Sequence, residues 1–232
     1  MTSPDVELVR AVSEAGLRFF GVMSASVSHE IRNKLAVINE KAGLVEDIAV
    51  AMRSGRAPDP DRLEMQAQRI VDQIRQANRI VRALNRLAHS TDEADATVDV
   101  AELVALVVEL YGRKAAMAQM VIEAEAPTGE IEVRTNPFLL ANAIGLCLDS
   151  AMANAGGSRA LRVIAEGEGD GVSIRIRGLE GDVDSGGGPA TDRAGLGSLL
   201  ETLGSDLAVD RESGDLVLSI RNLKPRENGS QP

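Results

Sequence analysis

Four residues of the segment SHEIRNKL carry the most distinctive chemistry in the chain: His29, Glu30, Arg32 and Asn33. A free imidazole titrates near ~6.5, so at neutral pH a histidine ring offers a lone pair able to attack a phosphoryl group. The adjacent carboxylate of Glu30 can take or orient the ring proton as phosphorus is attacked. Asn33 stands four residues on, one helical turn along the same face as His29, where its amide can position a water or a phosphoryl oxygen. The other histidine, His89, has no motif around it and reads as a helix-end cation or a polar linker residue.

Such a group needs a stiff support, and the flanking sequence supplies one. From about residue 5 to residue 53, apolar residues such as Phe20, Met23, Val27, Ile31, Leu35 and Ile38 recur mostly at three- and four-residue steps, the spacing of a long amphipathic helix. SGRAPDPD at 54–61 breaks it, because Gly55, Pro58 and Pro60 are poor helix-interior residues. A second helix follows, in which Leu63, Ala67, Ile70, Ile74, Ala77, Val81, Leu84 and Ala88 alternate steps of four and three. That is a heptad seam, which packs against other helices in a left-handed bundle. Arg62, Arg69, Arg75, Arg79, Arg82 and Arg86 fall off the seam and read as a solvated face. Two helices cover little core, so the hairpin is expected to pair with a second copy into a four-helix bundle.

After a polar linker at 89–96 the pattern becomes mixed α and β. Residues 100–118 read as a helix, and VIEAEA and GEIEVR as a strand pair around Pro127 and Gly129. Asn136, a good N-cap followed by Pro137, starts a helix running to about residue 155. ALRVIAEGE and GVSIRIRG alternate apolar and polar residues and meet at Gly169-Asp170-Gly171, a hairpin signal. A short helix at 193–202 and strands at 206–210 and 215–220 complete the pattern. The expected organisation is a helical hairpin over 1–92, an α/β sandwich over 97–224 and a disordered tail over 225–232.

Composition narrows the partners. Lys and Arg number 25 against 35 Asp and Glu, a formal charge of −10, and phosphate backbones are bound by clustered cations. There is no Trp, one Tyr and three Phe, so no aromatic platform exists for stacking bases. Nucleic acid is not an expected partner. The single cysteine, Cys147, excludes an intrachain disulfide and fits a reducing compartment. No apolar run reaches the roughly 18 residues of a membrane span, and the acidic N-terminus is unlike a secretory signal. A cytoplasmic location is expected, with any input arriving from a partner or small molecule rather than a preceding sensor segment.

With these residues in view, SHEIRNKL resembles the phosphoacceptor box of two-component histidine kinases, approximately H-E-[hydrophobic]-[K/R]-N-P-L. The resemblance makes His29 the phosphoacceptor and places Glu30, Arg32 and Asn33 in the catalytic set, with Lys34 where the family has Pro. It also implies a receiver-domain partner docked on the bundle below His29, through largely hydrophobic contacts. The remaining chain resembles the family's ATP-binding domain: NPFLLANAIGLCLDSA fits its hydrophobic frame at Leu140, Ile144, Leu148 and Ala151. The polar positions differ. Leu146 and Ser150 occupy the sites of two amide or acidic residues, the second of which ligates magnesium in the family. Mg²⁺ demands hard oxygen ligands in a strict octahedron. Leucine has none, a serine hydroxyl is a weak replacement, and Asn142, Asp149 and Asn154 are read as lying on other faces of the helix. Gly178 stands where the adenine-binding Asp belongs, although Asp184, Gly186 and Gly188 form a D-x-G-x-G string slightly later. Gly195 and Gly197 resemble the phosphate loop at a helix N-terminus, and only residues 189–194 separate the two glycine boxes, a short lid. A magnesium nucleotide would thus rest on Ser150, Asp184, Gly186, Gly188, Gly195 and Gly197.

The expected function is a phosphorelay protein of histidine-kinase architecture. It passes a phosphoryl group through His29 between receiver aspartates, without ATP, magnesium or any other metal. Phosphoryl transfer has a loose transition state and asks mainly for positioning, and the receiver brings its own metal. The alternative is an ATP-dependent histidine kinase with a diverged nucleotide site. A third reading is a pseudokinase scaffold without chemistry.

Overall fold

The computed structural model describes residues 4–55, 57, 59–127, 129–169, 171–180 and 190–222. Helix α1 (Pro4–Arg53) is one continuous helix of 50 residues that passes Lys34 without a break. Lysine keeps the backbone N–H that proline would remove. Helix α2 (Pro60–His89) starts at Asp59, whose side chain accepts a hydrogen bond from the Arg62 amide at 3.0 Å, with Pro60 in the first turn.

The two helices form the expected hairpin, but α2 turns a different face inward from its heptad seam. Its buried residues are Gln66, Ile80, Ala83 and Leu87. On the seam, Leu63, Ile74 and Val81 remain 38%, 43% and 38% exposed. One chain therefore leaves much of its most regular apolar stripe uncovered.

Beyond the linker come β1 (Ala96–Asp99), α3 (Val100–Met117), β2 (Val121–Ala124), β3 (Glu132–Thr135) and α4 (Pro137–Ala153). They are followed by β4 (Ala160–Glu168), β5 (Gly171–Arg177), α5 (Ala190–Leu203), β6 (Ser205–Val209) and β7 (Leu216–Arg221). The Asn136 side chain caps α4 by accepting from the Leu139 amide at 2.9 Å, as its sequence position predicts. Five strands form a mixed sheet in the order β2-β4-β5-β7-β6, with β2 parallel to β4 and the other pairs antiparallel. Strands β4 and β5 make the expected hairpin, with Glu168 opposite Gly171 and Gly169 at φ +61°, a conformation glycine takes at no steric cost. Val172, Ile174 and Ile176 of β5 point into the core, while Arg175 and Arg177 point outward to carboxylates. Among the described residues, α3, α4 and α5 are the helices that pack on the sheet.

The strand pair expected around Pro127 and Gly129 does not form. β3 pairs instead with β1, antiparallel, and β2 joins the main sheet beside β4. Burial decides this: Val98 and Val133 face each other across β1 and β3 and are both buried, while Ile122 lies beside the buried Leu161. The first half of α1 then packs across the helical layer. Gly16 passes Phe138, and Phe19 sits edge-on to Phe138 with ring centroids 6.1 Å apart. At Gly145 an added Cβ would lie 2.7 Å from the Phe19 ring, so the absent side chain lets α1 and α4 approach.

Candidate functional site

His29, Arg32 and Asn33 are exposed on α1, and Glu30 is half-buried beside them. About half a turn either side of His29, Val27 is buried and Ile31 packs against the same core that holds Ile80 and Ala83 of α2. The inward apolar positions hold the helix, and the four-residue spacing then leaves His29 and Asn33 together on the outer side. Among the described residues neither side chain has a hydrogen-bond partner, so both face the solvent free to meet an incoming group. Lys34 donates to Gln76 Oε1 of α2 at 2.6 Å and ties the two helices together just over one turn beyond His29. The arrangement offers a nucleophilic nitrogen, a neighbouring carboxylate and an amide on a helix whose direction is fixed from both sides.

The other set of candidate residues falls only in part on the described residues. Ser150 is buried in α4, and its carbonyl accepts from Asn154 Nδ2 at 2.8 Å. Asp184, Gly186 and Gly188 lie outside the described residues. Gly195 and Gly197 do not stand at a helix start: α5 begins at Ala190, which places both inside the helix, where their amides point along the helical hydrogen-bond ladder. Gly195 instead faces α1, where an added Cβ would meet Ala15 at 3.3 Å. Asp149, the carboxylate nearest Ser150 in α4, holds Lys114 at 2.6 Å. Leucine at 146, a buried hydroxyl at 150 and a paired carboxylate at 149 do not provide the oxygen octahedron that Mg²⁺ requires.

Where α1 crosses α3, α4 and α5 there is a cleft of about 420 Å³. Asn142 and Asp149 line it together with Leu146, which corrects the expectation that they lie on other faces of α4. The four-residue step from Asn142 to Leu146 already puts the two on one helical face. Asn142 is completely buried, yet neither its amide nitrogen nor its oxygen has a hydrogen-bond partner among the described residues. Leaving such a group unpaired costs on the order of 1–3 kcal/mol. Deeper in the layer, the Tyr111 hydroxyl donates to the Gly145 carbonyl at 2.7 Å. Cys147 is buried nearby among apolar neighbours, which pushes its thiol up to about 12.

No family model matches the chain, and no curated protein is found to be similar to it. Solved structures are. The histidine kinase AdeS of Acinetobacter baumannii is 14% identical, over 84% of this chain and 98% of that one, with a TM-score of 0.46. The cytoplasmic segment of histidine kinase QseC is 17% identical over 65% of this chain and 95% of its own, with a TM-score of 0.41. A bacterial phosphotransferase is 16% identical over 94% of this chain and 98% of its own, with a TM-score of 0.44. The roles of individual residues rest on this chain's own chemistry. Among the described residues, no helix is long and apolar enough to cross a membrane.

Proposed function

We propose that the protein is a two-component phosphorelay carrier in which His29 takes a phosphoryl group from one receiver aspartate and passes it to another. An imidazole nitrogen of His29 forms the new N–P bond as the bond between phosphorus and the aspartyl oxygen breaks. The carboxylate leaves with the electron pair, and Glu30 holds the ring proton. The reverse sequence charges the second receiver. Asn33, one turn along, orients a phosphoryl oxygen or a water. The observation that carries this reading is the placement of His29 and Asn33, exposed and unengaged on one face of a helix anchored by Val27 and Ile31.

In this reading the α/β region works without ATP or magnesium, supported by the mismatch at Leu146 and Ser150 and by α1 lying across the helical layer. A second copy covers the seam of Leu63, Ile74 and Val81, giving a two-fold four-helix bundle with two His29 rings. The receiver docks on the hairpin below His29, where Leu35 is also exposed.

The test uses purified receiver domains charged with acetyl phosphate. Acid-labile phosphate should move onto the wild-type protein, and mass spectrometry should place it on His29. The His29→Ala variant should take up none while keeping its circular dichroism. Equal labelling of His29→Ala would overturn the proposal. Labelling of His29 from Mg-ATP alone would make the protein a kinase instead.

A further inference from the structure

We infer that the cleft between α1 and the helical layer is a binding site for a small, neutral, flat heterocycle carrying an adjacent donor and acceptor, such as a lactam. Three observations point there. The cleft, at about 420 Å³, falls within the roughly 300–1,000 Å³ of small-molecule sites. Its walls are largely apolar, with Ala15, Val22 and Met23 of α1 facing Tyr111 and Leu146. Just behind its inner wall Asn142 holds an N–H donor and a C=O acceptor side by side, both closed off from solvent and both without a partner among the described residues. A carboxamide in that state is complemented in full by a group offering the reverse pair, one N–H and one carbonyl on the same edge.

Charge sets the class further. Four charged side chains line the cleft, and each is already engaged. Glu14 holds Arg10 at 2.8 Å, and Lys114 holds Asp149 at 2.6 Å. Arg18 likewise has a partner. Glu14 and Asp149 cancel Arg18 and Lys114, so the lining carries no net charge to draw a triphosphate, and a neutral ring suits it. Val22 and Arg18 are exposed and stand at the mouth, and Met23, which lines the same cleft as Asn142, has the unbranched side chain that adapts most readily to a guest. The site does not depend on the phosphorelay reading. Its consequence is mechanical: a molecule wedged here fixes α1 on the α/β layer, and α1 carries His29 two turns beyond Val22.

The probe is quinazolin-4-one, a neutral bicycle with a lactam edge, set against its N3-methyl derivative, which has lost the donor. Binding is followed through the methyl resonances of Ala15 and Met23 in the full chain. Quinazolin-4-one should shift them saturably, and the N-methyl compound should bind at least about tenfold more weakly. Asn142→Leu should erase that difference between the two compounds. Val22→Trp, which plugs the mouth and leaves Asn142 in place, should abolish binding of both, so the test survives if Asn142→Leu fails to fold. Absence of saturable shifts at millimolar probe, or equal discrimination by Asn142→Leu, would overturn the inference. So would displacement of the probe by Mg-ATP, since that assigns the cleft to a charged nucleotide.

Discussion

Substituting Gly145 by alanine tests by its sign whether α1 is seated on α4. In an isolated helix the change is favourable by about 1 kcal/mol, because glycine loses more backbone freedom on ordering. In this protein the new methyl would lie 2.7 Å from Phe19 Cε2 and 3.0 Å from the Tyr111 hydroxyl. The Phe19 ring is only 6% exposed and abuts Phe138, so it can give way only towards the cleft, at the expense of that edge contact. Overpacking of this kind costs about 1–3 kcal/mol. The net expectation is a loss of about 1 kcal/mol, read as a fall in Tm of about 2–4 °C for a chain of this size. Phe19→Ala removes the obstructing ring at a cost of about 3–5 kcal/mol. On that background Gly145→Ala should reverse sign and stabilise by about 1 kcal/mol. The assay is a double-mutant cycle by urea and thermal unfolding at one fixed protein concentration, since self-association would otherwise shift Tm. Stabilisation by Gly145→Ala in both backgrounds, with additive energies, would refute the seating of α1 on α4.

Three further outcomes are expected. Cys147, buried with its thiol pushed up to about 12, should resist iodoacetamide in mildly alkaline buffer until urea unfolds the chain; native-state labelling at the rate of a free thiol would contradict its placement. Asp210 is held down to about 2, first by Arg175 at 2.8 Å and then by the amides of Glu212 and Ser213. A carboxyl depressed in the folded state stabilises above its ordinary value of 3.8 and ceases to do so as pH falls towards 2. Asp210→Asn should therefore flatten the acid-induced loss of stability in that window and leave neutral pH as the condition where the variant is weaker. Finally, Ile74→Glu with Val81→Glu should convert a dimer to a monomer by light scattering, without loss of helix content; a wild-type monomer at micromolar concentration would remove the two-fold bundle from the proposal.

Local chemistry made part of this architecture readable from sequence. The three- and four-residue steps announce α1 and α2, Asn136-Pro137 announces the start of α4, and Gly169 to Gly171 announces the β4–β5 turn. Each of these signals sits within a few residues of what it specifies. The pairing of β1 with β3 was not readable in that way, because Val98 and Val133 are separated by a whole helix and are brought together only by shared burial. The same holds for α5: glycines at 195 and 197 look like a helix start, yet the helix begins at Ala190 and Gly195 serves contact with Ala15 of α1. Around His29 the spacing makes the placement legible, since Glu30 and Asn33 are its near neighbours along one helix. For Asn142 the spacing was present too, but only the fold reveals that its amide is left without a partner.

The seat and the proposed phosphoacceptor belong to one rigid element, and this has a mechanical consequence. Phe19, Met23 and Val27 are the buried side chains of α1 nearest His29, and no break in the helix separates them from it. At 1.5 Å per residue, Met23 and His29 are about 9 Å apart along the axis. A shift of α1 on the α/β layer is therefore delivered to the imidazole almost undiminished, because a helix transmits displacement along its axis and a close-packed interface does not absorb it. In the phosphorelay reading, an α/β region that has given up a magnesium site still does a job. Through Gly16 against Phe138 and Phe19 against Gly145, it sets the direction in which His29 is offered to a receiver.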